Sequence, residues 1–176
     1  MPIPKCVRLH IAVLAEPDVS IDQMVESATT VLSHAGITLV HASTFVLEDN
    51  PLADLSIGDC SARASLTDDH RELLSIRDSA ASDEIVVFFV RTTTPPLDGC
   101  ALHMDFPAAI VTRFAPILTL AHELGHILGL EHADDINRLM YRSASRINPP
   151  PTVTDDEQKT MKRSRWALAC EERTHA

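Results

Sequence analysis

Aromatic residues are scarce in this chain, 4% of 176, so aliphatic side chains must fill most of the interior it builds. Basic residues are also in short supply. Fifteen Lys and Arg face 25 Asp and Glu, a net charge of −10, which excludes a nucleic-acid partner because phosphate binding needs clustered cations. No run of about twenty apolar residues occurs, so no helical membrane span is expected. The four cysteines (Cys6, Cys60, Cys100 and Cys170) contain no Cys-x-x-Cys pair, which argues against a thiolate zinc site. They allow two disulfides in any of three connectivities, or reduced thiols in a cytoplasmic protein. The amino terminus lacks an apolar leader with a small-residue cleavage site, which leans towards the cytoplasm unless a leader has been removed. Internal repeats and low-complexity tracts are absent as well.

What is present fits one domain over residues 1–176, an upper part to about residue 129 and a lower part over about 130–176. Hydrophobic residues make up 45% of the chain, ordinary for a globular protein. Val7, Leu9, Ile11 and Val13 alternate with Arg8, His10 and Ala12, the pattern of a half-buried strand. Ser20 to Gln23 reads as a capping box opening a helix, with Ile21, Met24, Val25, Ala28, Val31 and Leu32 at helical spacing and Gly36 closing it. A strand over 37–47 completes a crossover, which implies parallel pairing. A short strand is expected over 61–66 and a helix over 70–80. Ile85 to Val90 is continuously apolar, as in a central strand covered on both faces. Short strands follow over 99–105 and 108–112. Pro116 suits the first turn of a nearly apolar helix running to Leu128. Thr154 to Glu157 is a second capping box, opening a terminal helix to about Ala169.

The chemistry is concentrated in His122-Glu-Leu-Gly-His126-Ile-Leu-Gly-Leu-Glu-His132. Residues four apart share a helix face, so His122 and His126 can ligate one ion at roughly 2.0–2.1 Å. On a straight helix His132 would lie roughly 9 Å beyond His126. Gly129 can turn the chain back through positive φ, bringing a third imidazole to the same ion. Three nitrogens with an open fourth position suit a catalytic zinc. Glu123, rotated away from the ligand face, would address water. Such a zinc would acidify its water and polarise a peptide carbonyl, with Glu123 as general base and then general acid. Three core histidines at this spacing without a metal would be exceptional.

This pattern, followed eight residues later by Met140 within Leu139-Met140-Tyr141, resembles the metzincin zinc peptidases and most of all their matrixin branch. The resemblance implies an α/β (more narrowly α+β) catalytic domain: a twisted mixed sheet, an active-site helix, a Met-turn and a C-terminal helix. It implies that Met140 floors the zinc without ligating it. It further implies an antiparallel edge strand along the cleft, near residues 99–112, that pairs with an extended peptide. Matrixins hold a second, structural zinc upstream, but only His103 and Asp105 stand in that region, so one ion is expected. Asp155 and Asp156 match acidic residues that anchor the mature amino terminus in that family. Cys6 lacks the surroundings of the matrixin latency cysteine and reads as a buried structural thiol. Arg142 stands where matrixins usually carry proline, and a basic side chain there would favour acidic or small substrate residues.

The expected function is therefore a zinc endopeptidase acting on protein or peptide substrates as a monomer. The continuations that mark archaemetzincins and astacins are absent. A zinc-binding scaffold of the same fold is the alternative from another class. Glu123 argues against it, because a scaffold needs the ligands but not the base.

Overall fold

In the computed structural model, which describes residues 3–60, 66–77, 80–103 and 107–170, the alternating amino-terminal segment forms strand β1 (Lys5–Val13). The Ser20 hydroxyl accepts the Gln23 N–H at 3.2 Å and opens helix α1 (Ile21–His34). Gly36, at φ +70°, returns the chain into strand β2 (Ile37–Val46), which pairs with β1 in parallel. A short 3₁₀ turn and strand β3 (Asp54–Ser56) lead to helix α2 (Asp68–Leu74). Strands β4 (Ile85–Val90), β5 (Thr92–Thr94), β6 (Gly99–His103) and β7 (Pro107–Thr112) come next. Helix α3 (Thr119–Ile127), helix α4 (Asp155–Arg163) and strand β8 (Leu168–Ala169) close the chain.

The main sheet runs β2-β1-β4-β7-β6, with β8 attached to β1. β2, β1, β4 and β7 are parallel, and β6 is antiparallel to β7 at the edge. This is the mixed α/β arrangement the patterning implied. All six residues of β4 are buried, because the strand has a core on each face. One core gathers Leu9, Ile11, Met24, Leu32, Phe89 and Leu124 under α1 and α3. The other gathers Leu55, Leu73, Phe88 and Ile110 on the opposite face. Each fully buried side chain of this size contributes about 1.5–3 kcal/mol, so aliphatic residues carry the fold despite the few aromatics.

Several elements differ from expectation. Helix α2 stops at Leu74 instead of reaching residue 80, and the guanidinium of Arg77 holds the following segment through the carbonyls of Ala81, Glu84 and Pro107. Helix α3 begins at Thr119, so Pro116 lies in the preceding turn, where its carbonyl accepts the Thr119 N–H. Helix α4 ends at Arg163. The chain beyond it turns back so that β8 pairs with Lys5 and Cys6, and Trp166 is buried beneath the Arg165 guanidinium. The expected strand over 61–66 falls almost wholly outside the described residues, as does Asp105.

Cys6 is not a free thiol. It is bonded to Cys170, and Cys60 to Cys100, so both pairs are closed. The first joins the two ends of the chain across the β1–β8 pair. The second ties the segment after β3 to the edge strand β6. Bonds of this kind persist in oxidising compartments, against the reduced cysteines of a cytoplasmic protein. No helix among the described residues is long and apolar enough to cross a membrane.

Candidate metal centre and cleft

Helix α3 is buried over nearly its whole length and sits against β6 and β7, which sets one of its faces towards the sheet edge. Its end is a Schellman motif. The Gly129 N–H bonds the His126 carbonyl at 3.0 Å and the Leu130 N–H bonds the Gly125 carbonyl at 2.9 Å, with Gly129 at φ +99°. That left-handed residue reverses the chain and carries His132 back over the helix. His122, His126 and His132 consequently meet, each offering a ring nitrogen within 4.8 Å of the others, the one such group among the described residues.

The rings are oriented by backbone carbonyls. His122 Nδ1 lies 2.9 Å from the Leu139 carbonyl, and His126 Nδ1 lies 2.9 Å from the Leu130 carbonyl. A carbonyl only accepts, so both Nδ1 atoms carry the proton and both Nε2 atoms present lone pairs. Burial lowers the pKa of His122 and of His132, which favours the neutral rings a metal requires. Nε2 of His126 and Nε2 of His132 stand 3.1 Å apart. Two ligands at roughly 2.0–2.1 Å from one tetrahedral ion would be separated by about 3.3 Å. The donor set therefore fits zinc.

The Leu139–Tyr141 turn packs against the helix at Gly125. The Leu139 N–H bonds the Thr152 carbonyl, the Tyr141 N–H bonds the Arg138 carbonyl, and Met140 is fully buried. A Cβ on Gly125 would stand 2.5 Å from Met140 Sδ. Only a glycine at that point in the helix lets the sulfur come so close. Arg138 is held in turn by Glu157, at 2.5 Å, whose carboxylate also caps α4 through the Thr154 N–H. Asp156 is engaged by Lys159 on its own helix, 3.2 Å away.

The three histidines line a cleft of about 1080 Å³ between α3, the edge strand and residues 142–144. Glu123 is buried beside the histidines. Its carboxyl is pushed up to about 8, first by burial and then by the neighbouring Asp98 carboxylate. A Cβ on Gly99 would stand 2.7 Å from Glu123 Oε1 and 2.8 Å from Thr119 Cγ2, so the start of β6 presses bare backbone onto this helix face. Arg142 lines the cleft too, but is engaged by Asp134 at 3.4 Å.

Sequence reasoning brought His122, Glu123, His126, His132 and Met140 to notice, and they lie together. It passed over Gly125, Gly99, Asp98 and Thr119. Gly125 did carry a signal, because a glycine inside an otherwise apolar helix costs about 1 kcal/mol and calls for a packing reason. Asp98-Gly99 carried none, since a turn pair before a strand is commonplace.

The family model of matrixin peptidases matches residues 63–163, more than half of the chain. The chain belongs to the matrixin family. No curated protein matches the sequence. Among solved structures, this matrixin is similar to metalloproteinase-II from Bacteroides fragilis, with TM-score 0.62 and 19% identity over 90% of this chain and 52% of that one. It thus spans about half the length of the Bacteroides protein. It is also similar to archaemetzincin from Archaeoglobus fulgidus, with TM-score 0.50 and 14% identity over 88% and 99% of the two chains. At such identities the likeness is one of fold, and the fold is that of metallopeptidases.

Proposed function

We propose that this matrixin is a zinc-dependent endopeptidase in which His122, His126 and His132 hold one zinc and Glu123 moves the proton. The observation that carries the reading is the meeting of three imidazole nitrogens, two with their tautomers set by backbone carbonyls, beside a buried glutamate in an open cleft. Zinc, when bound, supplies Lewis acidity towards a carbonyl and an activated water.

The protein's own part is positioning and proton transfer. Strand β6 is the outermost strand beyond β7, and its Gly99 and Ala101 line the cleft. Its outer N–H and C=O groups are the template on which an extended peptide pairs, which lays a scissile bond across Glu123. Glu123 in its ionised form, which the charge of a bound dication would favour, takes a proton from the attacking water and returns it to the departing amine. The carbonyls of Leu139 and Leu130 keep His122 and His126 in the ligating tautomer. With two disulfides closed, an oxidising compartment is the proposed setting.

The test pairs metal content with cleavage of casein, for the wild type and for Glu123→Gln. One zinc per chain is expected in both proteins, with cleavage in the variant lower by about 10²–10⁴-fold. Undiminished cleavage by the variant would remove Glu123 from the mechanism. Zinc in both with cleavage in neither would make the chain a zinc-binding scaffold, and a wild type without zinc would end the reading.

A further inference from the structure

The charged groups of the cleft are unequally satisfied. The two arginines among its described residues already have partners outside the lining: Arg91 meets Asp54 at 3.6 Å, and Arg142 meets Asp134 at 3.4 Å. Its carboxylates other than Glu123 are Asp59, Asp98 and Glu131, and none of the three makes a hydrogen bond or ion pair with a described residue. The whole chain carries a net charge of −10, the same sign as this local excess.

Asp98 is the best placed of the three. It precedes Gly99, the residue against which Glu123 and Thr119 pack. Its backbone is pinned, with the Asp98 carbonyl accepting from both the N–H and the hydroxyl of Thr112 at 2.9 and 3.1 Å. Its side chain is exposed and within electrostatic reach of Glu123. Thr119 lines the same part of the cleft, and its fully buried hydroxyl has no hydrogen-bond partner among the described residues. Accessible carboxylates on a cleft wall favour a ligand of opposite charge.

Resting on the endopeptidase reading, we propose that the cleft selects peptides bearing lysine or arginine beside the scissile bond, with Asp98 as the specificity-determining carboxylate. A cationic side chain laid along the start of β6 passes Asp98, while an acidic one meets three carboxylates that pair with no described residue. The Arg142 side chain, held by Asp134, does not reverse that balance.

Binding separates this proposal from the catalytic one. The zinc-loaded Glu123→Gln protein is titrated with fluorescent nonapeptide pools, random in Gly, Ala, Leu and Phe, with one position fixed as Lys, norleucine or Glu. The Lys pool is expected to bind about fivefold more tightly than the norleucine pool, as one solvent-exposed ion pair allows, and the Glu pool more weakly than either. The preference should shrink to within about twofold at about 1 M salt, where such pairs are screened. Asp98→Asn should abolish the preference and Asp98→Glu should keep it. Equal or absent binding of the Lys and norleucine pools, tighter binding of the Glu pool, or a preference surviving in Asp98→Asn would each overturn it. A Lys preference in the binding assay without casein cleavage by the wild type would overturn the endopeptidase reading and leave the charge selection standing.

Discussion

Gly125→Ala opposes two effects of known size at one atom. In a helix interior, alanine in place of glycine ordinarily stabilises by about 1 kcal/mol. Here the new Cβ would lie 2.5 Å from Met140 Sδ, 3.4 Å from Met140 Cε and 3.6 Å from Leu139 Cδ2. Methionine is flexible, but Met140 is fully buried and has little room to withdraw. Overpacking of this kind costs about 1–3 kcal/mol. The clash should win, for a net loss of about 1 kcal/mol and a Tm lower by roughly 2–4 °C for a chain of this length. The functional cost should be larger. Displacing Met140 moves the adjacent Leu139 carbonyl that holds His122 Nδ1, and loss of such a partner weakens zinc binding by about 10–100-fold. Thermal unfolding of the metal-free protein and zinc competition against a chelator measure the two effects. The double variant with Met140→Ala closes the cycle, with an expected coupling of about 1–3 kcal/mol as the clash is relieved. A Gly125→Ala protein that melts above the wild type and holds zinc as tightly would refute the packing argument.

Other expectations concern the far side of the sheet and the cross-links. Burial alone would raise the Glu84 carboxyl, but the Ala81 N–H, Arg8 and His10 overturn that and hold it at about 2. A carboxylate lowered on folding stabilises above its ordinary pKa, so about 3 kcal/mol should be lost as pH falls from about 4.5 to 2. Chemical denaturation across that range, for wild type and Glu84→Gln, should show a difference that shrinks with acid; a pH-independent difference would disprove the assignment. Chain entropy assigns about 4 kcal/mol to Cys60–Cys100 and about 5 kcal/mol to Cys6–Cys170, from sequence separations of 40 and 164. Replacing either pair by serine should lower the Tm. Only the Cys60/Cys100 replacement should also weaken peptide binding, because Cys100 lies on the cleft strand; equal effects on binding would contradict that.

Much of the architecture could be read without coordinates, because it rests on local rules. The alternation at Val7 to Val13, the Ser20 and Thr154 caps and the apolar run at Ile85 to Val90 each follow from period, capping or burial, and each lies in its expected element. The boundary error at α4 has a tertiary cause. Helix α4 stops at Arg163 because the tail gains more from pairing with β1 and bonding Cys6 than from further helical turns, and Cys6 is 164 residues from Cys170 in sequence.

The candidate metal centre divides in the same way. The sequence alone determined that two imidazoles stand one helical turn apart with a glutamate beside them, and that Gly129 can reverse the chain to bring up a third. Spacing is a local property, and left-handed backbone is a glycine property. Only the tertiary structure decided which carbonyls select the histidine tautomers, how closely Met140 approaches Gly125, and which cleft charges already have partners. Those depend on contacts between segments remote in the chain: Leu139 against His122, Gly99 against Glu123, Asp134 against Arg142. No periodicity or propensity encodes such contacts, because they exist only once the sheet has brought its edge strand up to the helix.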